Sequence, residues 1–184
     1  MNYKYSGEYV PTIEDFYKTS KKIIDDEYLI EILDTGDEEE YSEISEYWIK
    51  FGEGILLVFS INDYESFEKI KRIYDKILRI NKNQKFPILL VGNKLDLENE
   101  RVVSYSEAKE LADSWEIEYC EVSSRNDFDC QKILENILVK IIDRRKHIIR
   151  PGPFPPIYSI VCAYICYNIW YYLCCCFICK SKYN

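Results

Sequence analysis

The chain has 184 residues, enough for one domain plus an appendage, and carries 24 Lys and Arg against 32 Asp and Glu, a formal net charge of -8. Hydrophobic residues make up 47% and charged residues 30%. That composition excludes a disordered or collagenous chain, and the acidic balance excludes an electrostatic grip on nucleic acid. The charge is unevenly held. Residues 151–184 contain no Asp or Glu and two Lys, so residues 1–150 hold 22 basic and 32 acidic groups, a net of -10. Cysteine repeats the split: Cys120 and Cys130 lie in the acidic part, while Cys162, Cys166, Cys174, Cys175, Cys176 and Cys179 lie in the tail. A disulfide scaffold would spread its cysteines through the domain, so the acidic part reads as cytosolic. Cys174-Cys175-Cys176 lacks the paired spacing and His partners of a zinc site.

In chain order, Phe16 to Ile24 and Tyr28 to Leu33 are β-prone runs around Asp25-Asp26-Glu27, the pattern of a strand hairpin. Gly54 to Ile61 and Ile88 to Val91 are continuous apolar runs, the signature of parallel strands buried on both faces. Between them Phe67, Ile70, Ile73, Tyr74, Ile77 and Leu78 recur at helical spacing. Ser104 followed by Glu107 is a capping box that opens a helix through Ala108, Leu111 and Ala112. Tyr119 to Val122 is a short strand, and Leu134, Ile137, Leu138, Ile141 and Ile142 mark a last helix ending in Arg144-Arg145-Lys146. Strands alternating with helices predict an α/β fold with a largely parallel sheet over residues 1–150. Residues 151–156, with four prolines, predict a stiff linker. Ile157 to Cys179 is 23 residues without a charge. As a helix it would be roughly 34 Å long, enough to cross a bilayer core.

The run Ile88 to Val91 opens into Gly92-Asn93-Lys94-Leu95-Asp96, at the strand end where open α/β sheets bind ligands. An Asp there can accept from the N1 and N2 hydrogens of guanine while Asn meets the other edge; adenine lacks those donors and would leave Asp96 unpaired. Around this motif stand Tyr9-Val10-Pro11-Thr12-Ile13-Glu14-Asp15 before the hairpin, Asp34-Thr35-Gly36 after its second strand, Gly52-Glu53-Gly54, and Glu121-Val122-Ser123-Ser124-Arg125 after the last strand. In that order and with those residues the chain resembles the Ras family of small GTPases from about Tyr9 to Lys146.

The resemblance implies a role for each matching position. Asn93 and Asp96 would read the guanine of GTP or GDP, and Lys94 would lie along the base and ribose. Ser123 would brace Asp96, the Ser124 N–H would meet the guanine oxygen, and Arg125 stands where the family has Lys. Thr12 would ligate Mg²⁺, Asp34 would hold it through water, and Tyr9 would fold over the phosphates. The effector-binding segment would run through Tyr9, Val10, Pro11, Thr12, Ile13, Glu14, Asp15, Phe16 and Tyr17, with its loop from Pro11 to Tyr17. The nearest Lys-Thr, Lys18-Thr19, falls inside a predicted strand and reads as structural.

Two departures matter. The family opens with a central strand, the loop G-x-x-x-x-G-K-[ST] and a helix; that loop wraps the phosphates in backbone N–H groups. Here eight residues precede Tyr9 and none of the six glycines stands before a Lys. The expectation is a Ras-like P-loop GTPase fold missing its first strand, P-loop and first helix. Losing even four charge-assisted hydrogen bonds removes about 6–12 kcal/mol if they add simply. Second, the family's D-T-A-G-Q-E reads Asp34-Thr35-Gly36-Asp37-Glu38-Glu39 here. Glu38 stands at the position of the Gln that orients the attacking water, and carboxylates repel phosphate.

The missing strand would leave two apolar edges, the inner hairpin strand and Gly54 to Ile61, facing a gap. Those strands would close up, another chain would fill the slot, or the product would fold poorly. For the tail, an apolar C-terminal helix over 157–184 acting as a Cys-rich membrane anchor is expected, with the domain at the cytoplasmic face. No C-a-a-X box ends the chain, so acylation at Cys174, Cys175, Cys176 or Cys179 is the other route to a membrane; the alternative to both is an untethered apolar tail packed on the domain or aggregating. The functional expectation is a membrane-associated signalling protein with effector and guanine-recognition motifs and weak or no GTP binding and hydrolysis. A working GTP switch and a non-functional truncated product are the alternatives.

Overall fold

The computed structural model describes residues 14–23, 26–35, 46, 49–50, 52–81, 87–148 and 158–165. The predicted hairpin is present as strands β1 (Glu14–Ile23) and β2 (Asp26–Thr35), antiparallel with Ile23 opposite Asp26. Lys18 of the Lys18-Thr19 pair lies mid-strand, its Nζ 2.5 Å from the Glu31 carboxylate on β2. The apolar runs form β3 (Gly54–Ser60) and β4 (Ile88–Asn93), parallel and buried along their whole lengths. A third strand parallel to these, β5 (Glu118–Glu121), pairs with β4.

Helix α1 (Tyr64–Ile80) starts at Asp63, whose carboxylate accepts from the N–H groups of Glu65 and Ser66 at 3.0 and 3.2 Å. Helix α2 (Tyr105–Ser114) starts at Ser104, whose hydroxyl accepts from the Glu107 N–H at 3.1 Å, as the capping box requires. Helix α3 (Asp127–Ile148) is the last among the described residues.

Alternation along the strands sorts the core into two layers. Ile30, Ile32, Leu56, Val58, Leu89 and Val91 face α3, meeting Ile133, Leu134, Ile137, Leu138 and Ile141. Leu33, Ile55, Leu57, Phe59 and Leu90 face α1 and α2, meeting Phe67, Ile70, Ile77, Ala108 and Ala112. Each fully buried Leu, Ile or Phe contributes about 1.5–3 kcal/mol. This is why β3 and β4 show no polar residue at period two.

Helix α3 lies close over the start of β3. A Cβ on Gly54 would stand 2.7 Å from Ile141 Cδ1 and 3.1 Å from Ile137 Cγ1. Gly54→Ala is therefore expected to destabilise by about 1–3 kcal/mol through overpacking, read as a lowered urea midpoint with an unchanged m-value.

The tail departs from expectation. Where a C-terminal apolar helix was expected, Tyr158–Ile165 is a strand, β6, in the middle of the sheet. The order is β1-β2-β6-β3-β4-β5. β6 runs parallel to both neighbours, with Leu29–Thr35 of β2 opposite Tyr158–Tyr164 and Gly54–Val58 of β3 opposite Val161–Ile165. It occupies the place the resemblance assigns to the family's first strand, so none of the three outcomes weighed for that gap describes the structure. The physical reason is the pair of edges: β2 and β3 each present a ladder of backbone N–H and C=O groups. An uncharged segment rich in Tyr, Ile and Val satisfies both ladders at once. A water-exposed helix would leave them open.

The connection is short because α3 runs antiparallel to the parallel strands and ends near the amino end of β3. Nine residues, 149–157, then lead into β6. Among the described residues no helix is long and apolar enough to cross a membrane. The rest of the tail, including Cys166 and Cys174 to Cys179, lies outside the described residues.

Candidate functional site

All five parallel strands, β2, β6, β3, β4 and β5, end on one edge of the sheet. β4 delivers Asn93 there, fully buried. Its side-chain Oδ1 accepts from the Lys94 N–H at 2.7 Å and from the Ser124 N–H at 3.0 Å. One carboxamide thus joins the loop after β4 to the loop after β5. The turn requires Lys94 in the left-handed region, φ 66° and ψ 36°, which costs a non-glycine residue about 1–3 kcal/mol. The Leu95 N–H donates to the Val122 carbonyl at 3.0 Å and the Val122 N–H to the Gly92 carbonyl at 2.8 Å, and these bonds hold the turn.

A 3₁₀ helix, Leu95–Glu100, follows and carries Asp96. The Ser123 hydroxyl donates to Asp96 Oδ1 at 2.6 Å, and Arg125 Nη1 stands 3.2 Å from Asp96 Oδ2. The Ser123 Oγ accepts in turn from the Arg125 N–H at 3.3 Å. A carboxylate offers about four lone-pair positions, so one ligand donor can still be met at each oxygen.

Sequence reasoning placed Asn93, Lys94, Asp96, Ser123, Ser124 and Arg125 in one pocket, and the structure brings all six together. The Ser124 N–H, implied to meet the guanine oxygen, donates to Asn93 Oδ1. A buried N–H takes the nearest strong acceptor, and the Asn93 carbonyl stands within reach. Asp34 lies at the end of β2, on the same sheet edge but separated from β4 by β6 and β3; its backbone alone is described. Glu14, Asp15, Phe16 and Tyr17, read as part of the effector loop, open the edge strand β1. Tyr9, Val10, Pro11, Thr12, Ile13 and Glu38 lie outside the described residues.

The sequence reading gave no role to a second network that braces the pocket. Arg101 Nη1 and Nη2 donate to the two Glu121 oxygens at 2.8 and 2.7 Å, and Nη1 also donates to the Val103 carbonyl at 3.0 Å. Glu98 meets Arg101 Nε at 2.9 Å, and the Tyr119 hydroxyl donates to Glu121 Oε1 at 2.5 Å. The Glu121 hydrogen bonds, then those of Glu98, hold the Arg101 guanidinium further above its usual range. Burial first, and then the Glu121 hydrogen bond, push the Tyr119 phenol up. Gly92 permits this packing, since a Cβ there would stand 2.7 Å from the Tyr119 hydroxyl. The signal in the sequence was Glu121 at the head of the Ser123-Ser124-Arg125 stretch, but its partner lies twenty residues upstream in a loop.

The Arg101 and Glu121 side chains are 17% and 9% exposed. Arg101→Met would leave Glu121 nearly buried and unpaired, and is expected to cost about 3 kcal/mol. Chemical denaturation of the full chain measures it.

The Ras family model matches residues 1–143. The chain belongs to the Ras family. It is 40% identical over 144 residues to the Ras-like protein RAS2 of Hydra vulgaris, covering 78% of this chain and 75% of that protein. It is 42% identical over 134 residues to the protein ras-1 of Neurospora crassa, covering 73% of this chain and 63% of that protein. A Ras-like protein of Laccaria bicolor is 38% identical over 147 residues, covering 80% and 70% respectively.

Ras-family membership implies guanine nucleotide and Mg²⁺ in general, and the donors and acceptors of the Asn93 and Asp96 cluster fit the first. Asn93 Nδ2 is buried without a hydrogen-bond partner among the described residues. A buried amide donor left open costs about 1–3 kcal/mol, and a purine acceptor would satisfy it. For Mg²⁺ the described residues offer no cluster of three His, Cys, Asp or Glu side chains.

Proposed function

We propose that this chain is a Ras-like signalling module that recognises guanine at Asn93 and Asp96 but holds GTP weakly or not at all and does not hydrolyse it. In this reading it acts by presenting its effector segment. One observation carries the proposal. The strand at the sheet centre is β6, and the residues that follow it are Cys166-Tyr167-Asn168-Ile169-Trp170, with no Gly and no Lys before Lys180. A phosphate loop needs glycines directly after that strand, so that backbone N–H groups can approach the phosphates, and a Lys to neutralise them. A pocket for the base alone binds nucleotide in roughly the millimolar range.

The effector half of the proposal is supported by β1, the edge strand of the described sheet, whose outer ladder has no partner strand among the described residues and could take one from a partner. For the cytoplasmic face of a membrane, the support is the uncharged run from Ile157 to Cys179 preceded by Arg144, Arg145, Lys146 and Arg150. Titration of the full chain with fluorescent GDP and GTP in Mg²⁺ tests the nucleotide half. Weak binding without turnover is expected. Submicromolar binding with release of phosphate would instead establish a working switch, and a purified chain that does not fold would favour a non-functional product.

A further inference from the structure

We propose that Tyr158–Ile165 is a shared segment, held either as the central strand β6 or in a lipid bilayer, so that membrane insertion and completion of the sheet compete. This rests on the membrane reading above and adds its regulation. The uncharged run is 23 residues, Ile157 to Cys179, and β6 takes eight of them from its amino half. What remains after Ile165 is Cys166 to Cys179, 14 residues. As a helix these rise roughly 21 Å, short of the ~30 Å hydrocarbon core. With β6 in place the tail cannot span. Spanning requires β6 to leave, and its departure opens the ladders of both β2 and β3.

In one state the segment's backbone pairs with β2 and β3; in the other the segment lies in lipid. The intermediate with β6 in water satisfies neither the strand nor its neighbours. That makes the choice two-state. Nine residues, four of them proline, join α3 to Tyr158.

The register supplies the test. Ile55 of β3 and Leu33 of β2 are both opposite Cys162 of β6. Adjacent strands lie about 4.7–4.9 Å apart, within the Cα separation a disulfide spans. The full chain would carry Ile55→Cys with Cys166→Ala, Cys174→Ala, Cys175→Ala, Cys176→Ala and Cys179→Ala, and a second version would carry Leu33→Cys instead. Oxidation without lipid is expected to cross-link position 55 or 33 to Cys162. The oxidised chain should then float with phosphatidylcholine vesicles about tenfold less than the reduced chain, and vesicles added before oxidation should suppress the cross-link.

Equal flotation of the locked and reduced chains overturns the competition and leaves membrane binding standing. No flotation of either overturns the membrane reading and the competition with it. No cross-link in lipid-free solution overturns the shared segment itself.

Discussion

Deleting residues 157–184 is expected to abolish folding of the isolated domain. The deletion removes β6, which pairs with seven residues of β2 and five of β3. It leaves Ile30, Ile32 and Leu33 on one side of the slot and Ile55, Leu56, Leu57 and Val58 on the other, all at most 2% exposed with β6 present. Losing the backbone ladders on both sides together with that burial costs about 5 kcal/mol or more, as much as a typical domain's whole stability. Circular dichroism and size-exclusion chromatography read the result, with aggregation through the open β2 and β3 edges as the visible product. Adding a synthetic peptide of residues 157–166 during refolding should recover soluble protein. A truncated chain that folds as a stable monomer would show that β2 and β3 close on each other.

Asp96→Ala is expected to remove guanine recognition while leaving the fold intact. The two charge-assisted hydrogen bonds that Asp96 would accept from guanine N–H groups are worth about 1.5–3 kcal/mol each, so the expected loss is roughly 10²- to 10⁴-fold in affinity. In wild type, amide resonances of Asn93, Lys94, Ser123 and Ser124 should move on titration with GDP and stay still with ADP, whose base leaves Asp96 unpaired. In the variant GDP should behave as ADP does. Stability should change by no more than ~1 kcal/mol, because the Arg125 partner is 60% exposed and such pairs contribute little. Asp96→Asn keeps the shape and turns an acceptor into a donor, so it should lose guanine equally. GDP shifts that survive both changes would remove Asp96 from the pocket.

Most of the sheet and helices was legible because local signals and burial agree. Ile55 to Phe59 and Ile88 to Val91 are apolar on both faces because α3 covers one face and α1 and α2 the other. Ser104 caps α2 with the bond that the capping pattern implies. That Gly92 to Asp96 and Ser123 to Arg125 stand side by side was legible for a related reason: each follows a predicted strand of one parallel sheet, and β4 pairs with β5. The direction of the Ser124 N–H was not legible, since it depends on where Asn93 Oδ1 comes to rest. Neither was the bracing of Glu121 by Arg101, a contact between a loop and a strand end with no local pattern.

The largest difference concerns residues 158–165. By itself the sequence determined that this segment is apolar, uncharged and must leave water. It also determined that the inner hairpin strand and Gly54–Ser60 need a neighbour between them. Only the tertiary structure decided that these two needs meet each other. The hydrophobic effect is non-directional and does not say which apolar surface a segment joins. The choice comes from the path of α3, which brings the chain back to the amino end of β3 beside an unfilled pair of hydrogen-bonding edges.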